Sequence, residues 1–249
     1  MTRSGTIRIG IGRWIFAPWK ETFYPKGTKA ADFLPYASRQ LTSIEVNATF
    51  YRTQTPETFR TWRAATPDRF VFALKGPRAA TQVREAARAA VGVERFLGSG
   101  IVELGDKLGP IAWQFPATRK FDRDELAAFL DLLPAARDGV ALRHAIEASH
   151  ESFRTPACAA LLAERAIPRV LLGLDAGDME PLDAGDFVYA RLKGTVETEP
   201  KGLAEPELDG WTRRIPGWAA RRDCFVYVIA GAKARNPAAA MALIARTRS

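Results

Sequence analysis

Histidine and cysteine are scarce: the 249-residue chain has two of each. With only His144 and His150 to offer, a multi-histidine zinc site is excluded. Cys158 and Cys224 are far apart in the chain, in no metal-ligand spacing and no disulfide framework, and read as two reduced thiols of a cytoplasmic protein. No run of about 18 apolar residues occurs, so no membrane span is expected. The opening MTRSGTIRIGIGRW lacks the apolar stretch of a signal peptide. Low-complexity tracts and repeats are missing, as are GxGxxG, the P-loop, the GxSxG elbow and any cysteine-nucleophile arrangement. Acidic residues fall short of basic ones, 28 against 36, which leaves a net charge of +8. That surplus favours anionic partners, nucleic acid or phosphorylated metabolites. The basic residues are scattered, however, and a general preference for arginine would give the same sum.

What is present is the composition of a globular protein, 47% hydrophobic and 26% charged, on a length that suits one large domain spanning residues 1–249. Eight β-rich runs alternate with helical patterns: Ile7–Ile11, Ser43–Asn47, Phe70–Leu74, Pro110–Phe115, His144–Ala148, Val170–Leu174, Phe187–Leu192 and Phe225–Ile229. Most are continuously apolar, as parallel strands covered on both faces require. Helix starts fall between them at Thr55-Pro56, Asp122 with Glu125, Thr155-Pro156 and Asn236-Pro237. Thr81 to Leu104 reads as helical with a break at Gly98-Ser99-Gly100. This alternation predicts an α/β fold, a single TIM-type (β/α)8 barrel or an irregular variant of it, with a doubly wound open sheet as the alternative. Two places fit poorly. Ala176 to Gly185 is short and polar for a helix after the sixth strand, and Pro216 interrupts the helical stretch Leu208 to Arg222.

The second run poses the functional question. In SIEVN, Ile44 and Val46 point one way and Glu45 and Asn47 the other. A carboxylate inside a protein costs several kcal/mol unless it is paired. Applied to the other strands, the same parity points Val71, Ala73 and Lys75, Ala112 and Gln114, Ala145 and Glu147, and Tyr189, Arg191 and Lys193 into the barrel. The polar members come late in their strands and converge on the C-terminal mouth, where barrel enzymes keep their active sites. Glu45 and Glu147 balance Lys75 and Arg191, so the set reads either as a ligand pocket or as a salt-bridged plug without chemistry. The loop GRWIFAPWKETFYP brings Trp14, Phe16, Trp19, Phe23 and Tyr24 to the same mouth, to stack on a sugar or base or to form a hydrophobic lid. Gly10 and Gly12 leave room in strand 1 for a ligand or a neighbouring side chain. By parity His144 faces outward and is structural, whereas His150 follows Glu147 at the pocket end and is a candidate contact. Glu45 and Glu147 could hold a Mg²⁺, although nothing in their spacing asks for one, and no other cofactor is called for.

The segments IRIGIGRWIFAPWKETFYP, SIEVNATFYRTQTPETFRTW, RFVFALKGP, LGDKLGPIAWQFP, HAIEASH and DFVYARLKG follow one another as in the YecE-like family, domain of unknown function 72, and the chain resembles that family over nearly its whole length. The resemblance implies a TIM-type barrel and supplies no established activity. Glu45, Asn47, Tyr51, Lys75, Gln114, Glu147, Tyr189 and Arg191 match the family's polar pattern. Ile11 and Arg13 stand where its first-strand motif has small residues, Ser149 where an arginine is expected, Lys193 where a histidine is common, and Ala230 and Gly231 where asparagines are usual.

These residues suggest an uncharacterised barrel enzyme of hydrolase or lyase type, acting on an anionic, phosphorylated or nucleic-acid-derived substrate. Glu45 or Glu147 would be the general base, Lys75 an electrostatic stabiliser, Arg191 the anion clamp and Gln114 an orienting residue. Asn47, Tyr51, Tyr189, Lys193, Trp14, Trp19 and His150 would contact the substrate. The competing readings are a protein that binds nucleic acid or a small anion without chemistry, and a barrel whose site is vestigial.

Overall fold

A computed structural model describes residues 4–173, 180–182 and 184–247. Its eight long-range strands are β1 (Ile7–Ile11), β2 (Ser43–Val46), β3 (Val71–Lys75), β4 (Leu108–Gln114), β5 (His144–Glu147), β6 (Leu171–Gly173), β7 (Phe187–Leu192) and β8 (Asp223–Val228). All pair in parallel in the order β5-β4-β3-β2-β1-β8-β7-β6. The two ends of this series meet at a parallel bridge between Ile146 and Arg169, where Ile146 N donates to Pro168 O (3.0 Å) and Val170 N to Ile146 O (2.8 Å). The sheet is thus a nearly closed barrel, not the doubly wound open sheet. The expected sixth strand ended at Leu174, which lies outside the described residues, as does half of the poorly fitting stretch Ala176 to Gly185.

Parity along the strands sorts the barrel into an outer and an inner apolar set. Ile44, Val46, Phe72, Leu74, Trp113, Ile146, Val188 and Ala190 pack outward in the main core, against the helices. Val71, Ala73, Ala112, Ala145, Phe187, Tyr189, Phe225 and Tyr227 fill the interior. Small residues on β3, β4 and β5 make room for the Tyr189 and Tyr227 rings, which lie 5.2 Å apart. Gly10 is needed for a close backbone approach, since a Cβ there would lie 1.8 Å from Ser43 O. Near Pro110 the β3–β4 register slips, from Phe72 opposite Leu108 to Leu74 opposite Ile111, so β4 carries one extra residue. A proline, which cannot donate to the ladder, is tolerated at such a bulge.

The helix caps follow their sequence signals. Thr55, Asp122 and Thr155 each accept a backbone N–H at the start of helices Pro56–Ala64, Arg123–Leu130 and Pro156–Glu164. The expectation at Pro216 is corrected: the helix Glu205–Ala219 runs through it. Leu208, Trp211, Ile215 and Trp218 are buried on one face of that helix, and their packing outweighs the roughly 3 kcal/mol that an interior proline costs. The stretch expected as one broken helix is three pieces: Arg78–Thr81, Ala86–Leu97 and the 3₁₀ segment Ile101–Lys107. The hairpin pairing Ala136–Arg137 with Val140–Ala141 was not anticipated. Asp138 and Gly139 both have positive φ at its tip, as a two-residue turn demands.

Candidate functional site

At the C-terminal ends of β2, β3, β4, β5 and β7, six side chains join into one network. Glu45 accepts from Tyr189 Oη at Oε2 (2.7 Å) and from Arg191 Nη2 at Oε1 (3.1 Å). Arg191 Nη1 also reaches Glu147 Oε2 in a short contact, so one guanidinium spans both carboxylates. Its Nε lies 3.1 Å from Glu45 Oε2, but the N–H is not directed at that oxygen and makes no hydrogen bond. Gln114 Nε2 donates to Glu147 Oε1 (2.5 Å), and Gln114 Oε1 accepts from Lys75 Nζ (2.5 Å). The chain of contacts thus runs from Tyr189 through Glu45, Arg191, Glu147 and Gln114 to Lys75. One layer down, Tyr227 and Ser43 share a 2.7 Å hydrogen bond, and Ser43 donates to Val71 O.

Burial and charge act on these groups in opposite directions. Burial alone would lower the basicity of Arg191, but Glu45 and Glu147 overturn that and push its pKa up. Burial, reinforced by Glu45, drives the Tyr189 hydroxyl well above its ordinary value, which fixes it as a hydrogen-bond donor. Burial likewise lowers the pKa of Lys75; neighbouring Arg191 adds to the effect, and Glu45 and Glu147 oppose it. The Lys75 ammonium also stands 4.3 Å from the centre of the Phe50 ring.

Above the network is a cavity of about 200 Å³, lined by Gly12, Arg13, Phe16, Trp19, Asn47, Tyr51, Lys75, Arg191, Ile229, Lys233 and Asn236. Four of these residues are cations, and none of the described lining residues is acidic. Asn47 is held by a hydrogen bond from its amide to Gly12 O. Gly12 must stay small for this, because a Cβ would come within 2.9 Å of Asn47 Nδ2.

The residues singled out in the sequence separate into three groups. Lys75, Arg191, Asn47, Tyr51 and Trp19 line the cavity, and Glu45, Glu147, Gln114 and Tyr189 form the network below it. Trp14, His150 and Lys193 stand apart. Trp14 packs edge-on against Trp62 (5.2 Å) and borders a separate apolar hollow with Ile15 and Tyr51. His150 caps the short turn Glu151–Phe153, its Nδ1 accepting from Ser152 N. Lys193 is half-buried, one residue past the end of β7, outside the cavity lining. His144 faces outward: Trp113 Nε1–H donates to its Nδ1 (3.1 Å), and its Nε2 pairs with Pro134 O (2.8 Å).

The aromatic loop is mainly a packed lid. Phe23, Tyr24, Phe33 and Tyr36 contact one another, and Tyr24 donates to Trp14 O. Phe16 and Trp19 reach the cavity, and Trp19 Nε1 is tied to Lys233 O (2.8 Å). Phe16, expected at the mouth among the loop aromatics, completes the rim with Lys233 and Asn236, which sequence reasoning passed over as site residues. The loop after β8 gave no pattern beyond its position in a barrel. Among the described residues no group of three or more His, Cys, Asp or Glu could hold a metal ion. A Mg²⁺ between Glu45 and Glu147 would have to displace the Arg191 guanidinium that already spans them. No described helix is long and apolar enough to cross a membrane.

The profile of the family described as "Protein of unknown function DUF72" matches residues 8–249. Among curated proteins, none matches the sequence. Among solved structures, the chain is similar to a DUF72 family protein from Thermotoga maritima, with 19% identity over 98% of this chain and 100% of that one and a TM-score of 0.77. It is also similar in fold to endonuclease IV from Thermus thermophilus, with 12% identity, 97% and 99% of the two chains covered and a TM-score of 0.57. For D-psicose 3-epimerase the identity is 13%, the coverage 96% of both chains and the TM-score 0.55.

Proposed function

We propose that this chain, which belongs to the family of proteins of unknown function DUF72, is an enzyme acting on an anionic substrate at the mouth of its barrel, a phosphorylated sugar or a nucleic-acid-derived compound. The observation that carries this reading is the cavity lining, which holds Arg13, Lys75, Arg191 and Lys233 and, among the described residues, no acidic one. Such a pocket concentrates positive potential on a ligand small enough for about 200 Å³. That is less than the roughly 300–1,000 Å³ of pockets that enclose drug-sized ligands, so it suits a small metabolite or the end of a longer one. Arg13 and Lys233, exposed at the rim, take the anionic group, and Phe16, Trp19 and Tyr51 give flat walls for a sugar or base. Lys75 faces the reacting end. Glu45 and Glu147 hold Arg191 in place and supply the carboxylates for acid–base work of hydrolase or lyase type. The barrel is shared with endonuclease IV and D-psicose 3-epimerase, and the likeness to these extends only to the fold. One feature favours binding without turnover: both carboxylates are already engaged by Arg191.

Thermal melts test the proposal, with inorganic phosphate, ribose 5-phosphate and a short single-stranded oligonucleotide as ligands. At about 100 times its Kd a ligand stabilises by about 2.7 kcal/mol, which raises the Tm of a chain this long by roughly 5–10 °C. The rise is to fade with added salt and to be lost in Arg13→Glu/Lys233→Glu. No rise with any of the three at low salt would refute an anion site. Hydrolysis or cleavage assays with the stabilising ligand then separate turnover from binding.

A further inference from the structure

Two lysines of this protein are buried, and they are treated differently. Lys107 is saturated: its ammonium donates to Arg63 O (2.8 Å) and Thr66 O (2.7 Å) and lies 3.4 Å from Thr66 Oγ1. Such a lysine is a fixed structural cation. Lys75 is as well buried, at 5% exposure, yet its Nζ makes one hydrogen bond among the described residues, to the neutral amide oxygen of Gln114. Both carboxylates that could have paired with it are taken up by Arg191. The amine is therefore held at one point, over the Phe50 ring, in the wall of the mouth cavity.

We infer that Lys75 is an imine-forming lysine, and that the cavity takes substrates whose reacting end is an aldehyde or ketone. The inference rests on the anionic-substrate reading for the tail of the substrate and adds the chemistry of its head. A lysine that must carry charge permanently gains from many acceptors, as Lys107 does. A lysine that must present a lone pair needs few, together with surroundings that discourage its charge. Burial and the adjacent Arg191 guanidinium provide those surroundings and outweigh Glu45 and Glu147. Gln114 Oε1 accepts one N–H and leaves the nitrogen lone pair free to face the cavity.

The step balances without a co-reactant. The neutral amine, having given a proton to solvent, attacks the carbonyl carbon; the N–C bond forms as the C=O π pair moves to oxygen. The oxygen takes up two protons, one of them from the nitrogen, and departs as water when the nitrogen lone pair closes the C=N bond. Overall, the lysine ammonium and the carbonyl compound give a protonated imine and water. The positive charge then sits where the ammonium was, beside the same glutamates, so the network below keeps its balance.

The experiment is borohydride trapping with peptide mapping on the intact protein at about pH 8, where surface lysines are almost wholly protonated. The probes are dihydroxyacetone phosphate and dihydroxyacetone, with inorganic phosphate as competitor. The expected result is a reduced adduct on Lys75, formed roughly tenfold or more faster than on any surface lysine, because burial discourages the charge on its amine. It is to be absent in Lys75→Arg, which keeps the cation and cannot form the imine. If that variant fails to fold, the site-resolved map of the unaltered protein still decides. Adducts spread evenly over the lysines, or concentrated on Lys233 at the rim, would overturn the inference. The two readings also fail separately. Trapping of both probes at Lys75 without competition by phosphate upholds the imine and removes the anion site. Phosphate stabilisation without any Lys75 adduct upholds the anion site and removes the imine.

Discussion

Replacing Arg191 by methionine would test whether the polar network holds the barrel mouth together. Arg191 is almost fully buried and is the cation hydrogen-bonded to both Glu45 and Glu147. Methionine keeps the unbranched stem and removes the charge. Two buried carboxylates are left without their shared cation, and Lys75 of the same network is bonded to the neutral Gln114. Removing one partner of a buried pair costs about 3–5 kcal/mol, and here two partners are orphaned, so the upper end applies. In a chain of this size each kcal/mol lowers the Tm by roughly 2–4 °C, so a fall of about 10–20 °C is expected. Urea unfolding of both proteins measures the gap directly. Adding Glu45→Gln to Arg191→Met removes one of the two orphans and is to recover part of the loss, although Glu45→Gln alone destabilises. A loss below about 1 kcal/mol, the scale of an exposed ion pair, would refute the reasoning. So would simple additivity of the two substitutions.

Two further predictions concern groups away from the mouth. Burial lowers the pKa of His144, which stays neutral between Trp113 and Pro134. Its contribution to stability is complete above the unfolded value of about 6.5 and is lost as pH falls through the folded value; His144→Gln should flatten that acid limb in urea titrations, and an unchanged limb would count against it. Both cysteines are buried, and burial pushes the Cys224 thiol up to about 12. A thiol reagent at about pH 8 should label them only as fast as the protein unfolds, and rapid labelling without denaturant would show the packing around them to be open.

The position and facing of the strands are written in the sequence, because a strand turns its side chains with a period of two and a barrel strand is covered on both sides. The expected runs overlap all eight barrel strands, and the parity of Ile44, Glu45 and Val46 holds in the folded barrel. The caps at Thr55, Asp122 and Thr155 were legible for the same kind of reason, since each is a local hydrogen bond within three residues. The Asp138-Gly139 turn carried an equally local signal and went unread. Pro216 shows where local rules stop, because the buried faces of Trp211, Ile215 and Trp218 keep the helix going past it. The sequence also showed that two acids and two bases point inward. Which acid meets which base depends on the stagger between strands that lie up to 146 residues apart in the chain, as Glu45 and Arg191 do. Only closure of the barrel put Arg191 between the two glutamates and left Lys75 with an amide. The same closure brought Lys233 and Asn236 from beyond β8 to the rim beside Arg13, where no spacing in the chain could have announced them.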